Sequence, residues 1–178
     1  MNKSILLTLA ILFLSCNQPT ESLDTTQNKE RFNKNVKSFK KTFVAGFKTE
    51  DPDLMMSLFA DSLKWNNPEA VSSVFKTKQD LSEAIDFYIK EFDDITFLND
   101  VYFGGSYYSS EDQASDSPNA VRIFGDWNTV HTSTNTNIAH KWMAIIWFNE
   151  EGKVHQFIDY FDVSGLALQI EGKYSPIF

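Results

Sequence analysis

The chain has 178 residues, a formal net charge of −8 and an aromatic-rich composition that includes 16 Phe, 6 Tyr and 4 Trp. A chain of this length can bury a sizeable core, and we expect one domain after a short leader. The negative charge argues against general affinity for nucleic acid, whose phosphates attract basic surfaces. The single cysteine, Cys16, excludes an internal disulfide and a metal site built from several thiolates.

The N-terminus has the pattern of an export signal. A lysine precedes an apolar run over residues 5–14, which as a helix would be about 15 Å long, roughly half of a bilayer core. Cys16 follows this run, and the stretch LFLSC resembles a bacterial lipobox, in which the cysteine is lipidated. We predict a signal peptide over 1–15, a lipidated Cys16 with a flexible tether over 16–28, and an exported protein. It would be lipid-anchored to a membrane of the cell envelope, on the periplasmic or surface side. The alternative is an ordinary secretory signal with an unrelated cysteine.

An apolar stripe at helical spacing predicts a first helix over residues 29–48. The opposite side of this helix is basic. That side is either a solvated face or a surface that rests on anionic headgroups.

Two more helices are predicted from their capping signals. Asp51 can cap a helix with Pro52 at its first position, and the apolar residues that follow extend this prediction through Phe59. Thr77 and Asp80 have the spacing of a capping box and open the third helix.

Beyond residue 92 the apolar period changes from about 3.6 to 2, which indicates strands. A short strand, LKWNNP, precedes the third helix, and Gly104, Gly105 and Gly125 suit bends. The four long strands are predicted at 94–108, 121–134, 137–148 and 154–163, with a solvated acidic loop at 109–120. Helices segregated from antiparallel strands define an α+β fold, and a bent sheet over helices leaves a cone with an open mouth.

The chain resembles the nuclear transport factor 2-like superfamily, nearest its SnoaL-like and ketosteroid isomerase-like branches. The resemblance rests on this order of helices and strands and on the stretches LKWNNP, FGDWNTVHTST and GKVHQFIDYFD. The resemblance places this domain at residues 29–171, followed by a C-terminal tail at 172–178. It implies a cone-shaped curved antiparallel sheet of four long strands, plus one short strand, wrapped around three N-terminal helices. It also implies a pocket inside the cone and frequent dimerisation through the outer sheet face. Members include isomerases, cyclases and hydrolases, so the fold does not settle the function.

Asp159 is the leading candidate for chemistry. On a strand, Phe157, Asp159 and Phe161 share one face. The resemblance to the limonene epoxide hydrolase branch implies that Asp159 faces the pocket and exchanges protons there. Burial between aromatic rings would raise its pKa, and a neutral acid can donate to a ligand. The alternative is a structural carboxylate that accepts hydrogen bonds from Trp65 or Asn67.

The same branch has an aromatic residue and an asparagine two apart on the short strand, where they hold a water. Trp65 and Asn67 match that spacing. Asp126 falls near the position of a second acid of that branch and is a second catalytic candidate. Phe124 stands where that branch has an arginine, so the epoxide hydrolase set is incomplete.

His140 and Trp142 share a strand face and could line the pocket, although a lone histidine is more often structural. No two histidines on one element have metal-ligand spacing, so we predict no metal and no cofactor. The faces of Trp127 and His131 stay unassigned.

The sequence favours a membrane-anchored protein whose apolar, acid-containing pocket binds a small hydrophobic molecule. One alternative is an isomerase, cyclase or hydrolase that uses Asp159 as a general acid/base. Another is a non-catalytic dimerisation or interaction module, and a homodimer is possible in either case. The predicted ligand-binding residues are Trp65, Asn67, His140, Trp142, Phe157 and Phe161.

Overall fold

The computed structural model describes residues 22–106 and 111–174. The predicted signal peptide and Cys16 lie outside the described residues. No described helix is both long and apolar enough to cross a membrane.

The structure opens with a helical segment in three parts, which are α1 (Ser22–Phe39), a π-helical turn (Lys40–Val44) and α2 (Ala45–Thr49). The predicted stripe is confirmed, because Phe39, Phe43 and Phe47 are buried. Residues four apart drift by about 40° around an ideal α-helix. The wider π-turn offsets this drift and keeps the three rings on one face.

Helix α1 begins seven residues before the predicted start, so residues 22–28 are helical and not part of a tether. Tertiary contacts account for the difference. Asn28 Nδ2 donates to the carbonyl of Ser115 at 2.7 Å, and Asn35 Nδ2 donates to that of Pro118 at 3.1 Å. These polar contacts have no apolar periodicity, so the sequence pattern gave no sign of them.

The second predicted helix is too long. Helix α3 (Pro52–Met56) starts at the predicted Asp51 cap, whose Oδ1 accepts from the Leu54 amide at 2.9 Å. Phe59 is buried as expected, but it begins strand β1 (Phe59–Asn66) and pairs with Val154. A short apolar run does not distinguish helix from strand, and pairing decides it here.

The remaining elements are α4 (Lys78–Glu91), β2 (Phe92–Gly104), β3 (Ala120–His131), β4 (Thr136–Phe148), β5 (Val154–Tyr160) and α5 (Val163–Ile170). The capping box of Thr77 and Asp80 is present at the start of α4. The sheet order is β1-β5-β4-β3-β2, antiparallel except for the parallel pair β1 and β5. The α+β fold class is therefore confirmed, with a mixed sheet at one edge.

Register shifts occur in the β1–β5, β4–β5 and β2–β3 pairs, and the second shift of β2 lies opposite Gly125. The β2–β3 register shifts between Asp93 and Thr96 and again between Leu98 and Val101. Asp94 and Asn99, within these shifts, both have φ of 54°. Bulges of this kind bend a strand and increase its twist. Gly125 keeps regular pairing with Trp142 on the other side.

Candidate functional site

A cavity of about 50 Å³ lies between the inner face of the sheet and the helices. Its wall is mainly aromatic, and its polar side chains are Asp159, His140, Tyr88 and the indole groups. The lining residues include five phenylalanines and three tryptophans, namely Phe43, Phe47, Phe97, Phe157, Phe161, Trp65, Trp127 and Trp142. His140 and Phe161 are only half-buried.

Asp159 faces this cavity, as the resemblance implied. Its side chain belongs to β5, next to the parallel strand β1, where Trp65 pairs with Phe157. Trp65 Nε1 donates to Asp159 Oδ1 at 2.9 Å, and the Trp142 side chain also hydrogen-bonds to this carboxyl group. Asp159 is only 8% exposed. The carboxyl group is thus held between two indole rings.

Burial raises the pKa of Asp159 to about 7. The hydrogen bonds from Trp65 and Trp142 act in the opposite direction, because they stabilise the charged form, while the negative charge of Glu69 raises the pKa further. No cationic side chain of the described residues is among these causes. The group can therefore be protonated or ionised near neutral pH.

His140 presents an unpaired acceptor to the site. Its Nδ1 lies 3.2 Å from the carbonyl oxygen of Lys141, so Nδ1 carries the hydrogen and Nε2 a lone pair. Nε2 is buried and has no hydrogen-bond partner among the described residues. Burial lowers the pKa of His140, although the Lys141 carbonyl and Asp162 act in the opposite direction. The ring is therefore neutral at pH 7.

Tyr88 is a polar cavity residue that sequence reasoning missed. It lies on the apolar stripe of α4, and its ring packs edge-on against Trp127 with centroids 5.5 Å apart. Burial, with the negative charges of Asp159 and Glu69, raises the pKa of its hydroxyl well above the usual value. Tyr88 therefore stays protonated.

The structure places only one residue of the predicted pair Trp65 and Asn67 at the cavity. Trp65 lines the cavity, but Asn67 does not. Asn67 follows the end of β1, where the chain leaves the sheet, and its Nδ2 donates to Glu69 Oε2. Its Oδ1 is buried without a partner among the described residues. Of the predicted ligand-binding residues, Trp65, His140, Trp142, Phe157 and Phe161 meet at one cavity.

Asp126 is not part of this cavity. Its neighbour Trp127 points inward, so Asp126 lies on the outer face of the sheet. There its Oδ2 accepts from Asn99 Nδ2 at 2.7 Å. The structure therefore does not bring Asp126 together with Asp159.

The structure shows where the side chains of Trp127 and His131 lie, which the sequence left unassigned. Trp127 lines the cavity. His131 is buried, and its Nδ1 lies 2.8 Å from Thr134 Oγ1.

Within residues 22–106 and 111–174, no group of three or more His, Cys, Asp or Glu side chains could hold a metal ion.

The outer face of the sheet carries exposed apolar side chains. Val101 pairs with Phe124, and the rings of Phe103 and Phe124 meet with centroids 6.2 Å apart. With Leu98, these side chains are 36–48% exposed. They form an apolar patch opposite to the cavity.

Comparison with solved structures supports the resemblance. A candidate polyketide cyclase of Xanthomonas campestris superposes with a TM-score of 0.63 at 11% identity, covering 80% of this chain and 98% of that one. A protein of ketosteroid isomerase-like fold from Catenulispora acidiphila, solved in complex with trimethylamine, gives 0.54 at 14% identity, over 80% and 97%. An NTF2-like protein of unknown function from Burkholderia pseudomallei gives 0.59 at 13% identity, over 76% and 96%.

No family model matches the sequence, and no curated protein matches it significantly. At identities this low, the structural likeness establishes the fold alone. The chain has the nuclear transport factor 2-like fold, shared by SnoaL-like and ketosteroid isomerase-like proteins, as the sequence predicted.

Proposed function

We propose that this protein is a lipid-anchored binding protein whose inner cavity holds a compact, mostly apolar small molecule. The observation that carries this proposal is the placement of Asp159 in an aromatic cavity, held by two indole groups. A carboxyl group is expensive to bury without a cationic partner. A core that served packing alone would be more stable with an apolar or amide side chain there.

The cavity limits the size of the ligand. A volume of about 50 Å³ holds about four water molecules at roughly 10–15 Å³ each. Pockets for drug-sized ligands measure about 300–1,000 Å³. The ligand therefore has only a few heavy atoms, unless aromatic side chains move. The trimethylamine complex of the Catenulispora protein is a precedent on this fold for a ligand of that size.

Native mass spectrometry and extraction of the protein purified from its own membranes test the binding function. A ligand this small binds weakly and dissociates readily, so the protein is kept concentrated. We expect more of one small molecule with the wild type than with a variant in which Ala84→Phe fills the cavity. Ala84 lines the cavity and is half-buried, so the larger ring projects into the space. Native protein that carries no small molecule would count against the proposal.

A second candidate function is catalysis by Asp159 as a general acid/base. It is favoured by the pKa of about 7, which suits proton transfer near neutral pH. The chemistry would be that of an isomerase, cyclase or hydrolase. Turnover of a bound molecule by the wild type, abolished in Asp159→Asn, would support the enzyme, and binding without any turnover by the wild type would support the binding protein.

The outer apolar patch of Leu98, Val101, Phe103 and Phe124 favours self-association through the sheet. We propose a homodimer at this face, which leaves both cavities accessible on the opposite side. Sedimentation velocity of the soluble domain tests this proposal.

We propose that Cys16 anchors the protein to a membrane. Ser22 at the start of α1 is six positions after Cys16, a separation of at most about 20 Å. Helix α1 would then begin near the headgroups, with Arg31, Lys34 and Lys37 exposed. Cys16→Ala should release the protein from the membrane fraction. Retention of this variant as strongly as wild type would contradict the anchor.

A further inference from the structure

Two acceptors of the cavity are open to a ligand. The indole N–H donors of Trp65 and Trp142 interact with Asp159. His140 Nε2 is a buried lone pair with no partner among the described residues. An ionised Asp159 adds further acceptor capacity, while the Tyr88 hydroxyl and the Trp127 indole are donors in the same wall. A ligand that donates hydrogens would satisfy both acceptors.

The charged groups that act on the polar side chains of the cavity are acids. Glu69 acts on both Asp159 and Tyr88, and Asp162 acts on His140. No lysine or arginine of the described residues is among the lining side chains, although Lys76 lies against the ring of Trp65. The acids next to the polar groups would repel an anionic ligand and attract a cationic one.

The wall of the cavity suits a cation that has apolar groups. Faces of indole, phenol and phenyl rings attract cations, and indole does so most strongly. Three tryptophans, Tyr88 and five phenylalanines line the space. Trp65 already interacts in this way, since Lys76 Nζ lies 5.5 Å from its ring centroid.

We infer that the ligand of this cavity is a compact alkylammonium ion, whose N–H donates to the Asp159 carboxylate and whose alkyl groups lie against the indole and phenyl rings. This inference rests on the proposed binding function and specifies the ligand class. The ammonium ion and the Asp159 carboxylate together carry no net charge. The ligand thus supplies a cationic partner for the buried acid, which no described side chain provides. A cavity of about 50 Å³ restricts the ion to a few heavy atoms.

Three probes that share a tert-butyl group and differ in charge test the inference on the wild-type protein, and the ammonium ion and the alcohol are also matched in size. They are tert-butylammonium, tert-butanol and pivalate, measured by calorimetry at pH 8. Ligands with so few atoms reach dissociation constants of about a few micromolar at best. We expect the ammonium ion to bind at tens of micromolar to low millimolar and at least tenfold more tightly than the alcohol. We expect pivalate not to bind.

The same calorimetry at lower pH adds a second readout. Alkylamines titrate near lysine, at about 10.4, and stay protonated throughout. Because protonation of Asp159, with a pKa of about 7, competes with the cation, the ammonium ion should bind about 30-fold more weakly at pH 5.5 than at pH 8. Protonation of His140 at acid pH would act in the same direction. Tyr88 stays protonated throughout, and Glu69 is the remaining charged group that faces Asp159.

Matched variants identify the carboxylate. Asp159→Asn should weaken ammonium binding at least 30-fold, and its far-UV circular dichroism and cooperative unfolding show that the variant is folded. Asp126→Asn, the same change on the outer face, should leave the affinities for the ammonium ion and for tert-butanol unchanged.

The possible failures are distinguishable. Equal or tighter binding of the alcohol, or ammonium binding that is insensitive to Asp159→Asn, overturns the inference and leaves the binding function in place. A neutral or anionic molecule in the native protein has the same consequence. If no probe binds and native protein carries no small molecule, both the inference and the proposed function are overturned.

Discussion

Trp65 and Asp159 are 94 positions apart in the chain and share a hydrogen bond of 2.9 Å from the indole Nε1 to the carboxyl Oδ1. The bond joins the edge strand β1 to β5 on the inner face of the sheet. It keeps a carboxyl group in a desolvated position, and the predictions below follow from that position.

Trp65→Phe should destabilise the protein by about 1–3 kcal/mol, because the carboxyl group stays buried and loses a donor. The same change should raise the pKa of Asp159 above its value in the wild type, since the lost hydrogen bond favoured the charged form. Chemical denaturation at pH 8 and carboxyl NMR titration measure these two effects. Equal stability of the two proteins would mean that the indole does not support the carboxyl group.

The stability of the free protein should fall as pH rises from about 4 to 7. The folded pKa of Asp159 is about 7, above the ordinary value of 3.8. The folded state therefore binds the proton more tightly than the unfolded state in this range, and the stability that the proton contributes is lost as pH rises through 7. A shift of about three units corresponds to at most about 4 kcal/mol.

Asp159→Asn should remove this pH dependence, since the amide imitates the protonated acid. The variant should match wild type near pH 4 and exceed its stability at pH 8. Guanidinium denaturation over pH 4–8 measures the difference, with Asp126→Asn as the control. A variant that is less stable than wild type at pH 8 would indicate a stabilising, structural carboxylate.

His140 should remain neutral, with its hydrogen on Nδ1, at pH values where the histidines of the denatured protein are already charged. Burial lowers its pKa, and the Lys141 carbonyl fixes the tautomer. Two-dimensional NMR of the ring nitrogens reports both properties. A ring that titrates at or above 6.5, or that carries its hydrogen on Nε2, would contradict the acceptor role of Nε2.

Phe124→Glu should reduce self-association, because it places a charge in the centre of the outer apolar patch. Sedimentation velocity should show a monomer for this variant and a dimer for wild type. Asp94→Asn, on an exposed bulge of β2 outside that patch, is the control. A wild-type protein that is monomeric at high concentration would show that the patch does not mediate dimerisation.

Strand periodicity predicted that Phe157 and Asp159 share a face, and the resemblance implied that this face is the inner one. Both side chains line the cavity. Strand alternation also places Asp126 and Trp127 on opposite faces of the sheet. The resemblance indicated a position in the sequence for the second acid, without a face of the sheet.

Other features could not be predicted from local patterns. Phe59 begins a strand because it pairs with β5, which lies far along the chain. Tyr88 and Phe43 occupy inward positions typical of any core residue, and only the packing of all elements leaves a space beside them. The bulges at Asp94 and Asn99 did have a signal, since Asp and Asn tolerate positive φ more readily than other side chains do.

The most direct test of the account is an NMR titration of the Asp159 carboxyl carbon in the ligand-free protein, assigned by its disappearance in Asp159→Asn. We expect a midpoint near pH 7, as a desolvated group in the aromatic cavity requires. A midpoint at or below the ordinary value of 3.8 would show that the carboxyl group is solvated or paired with a cation, and would contradict the account.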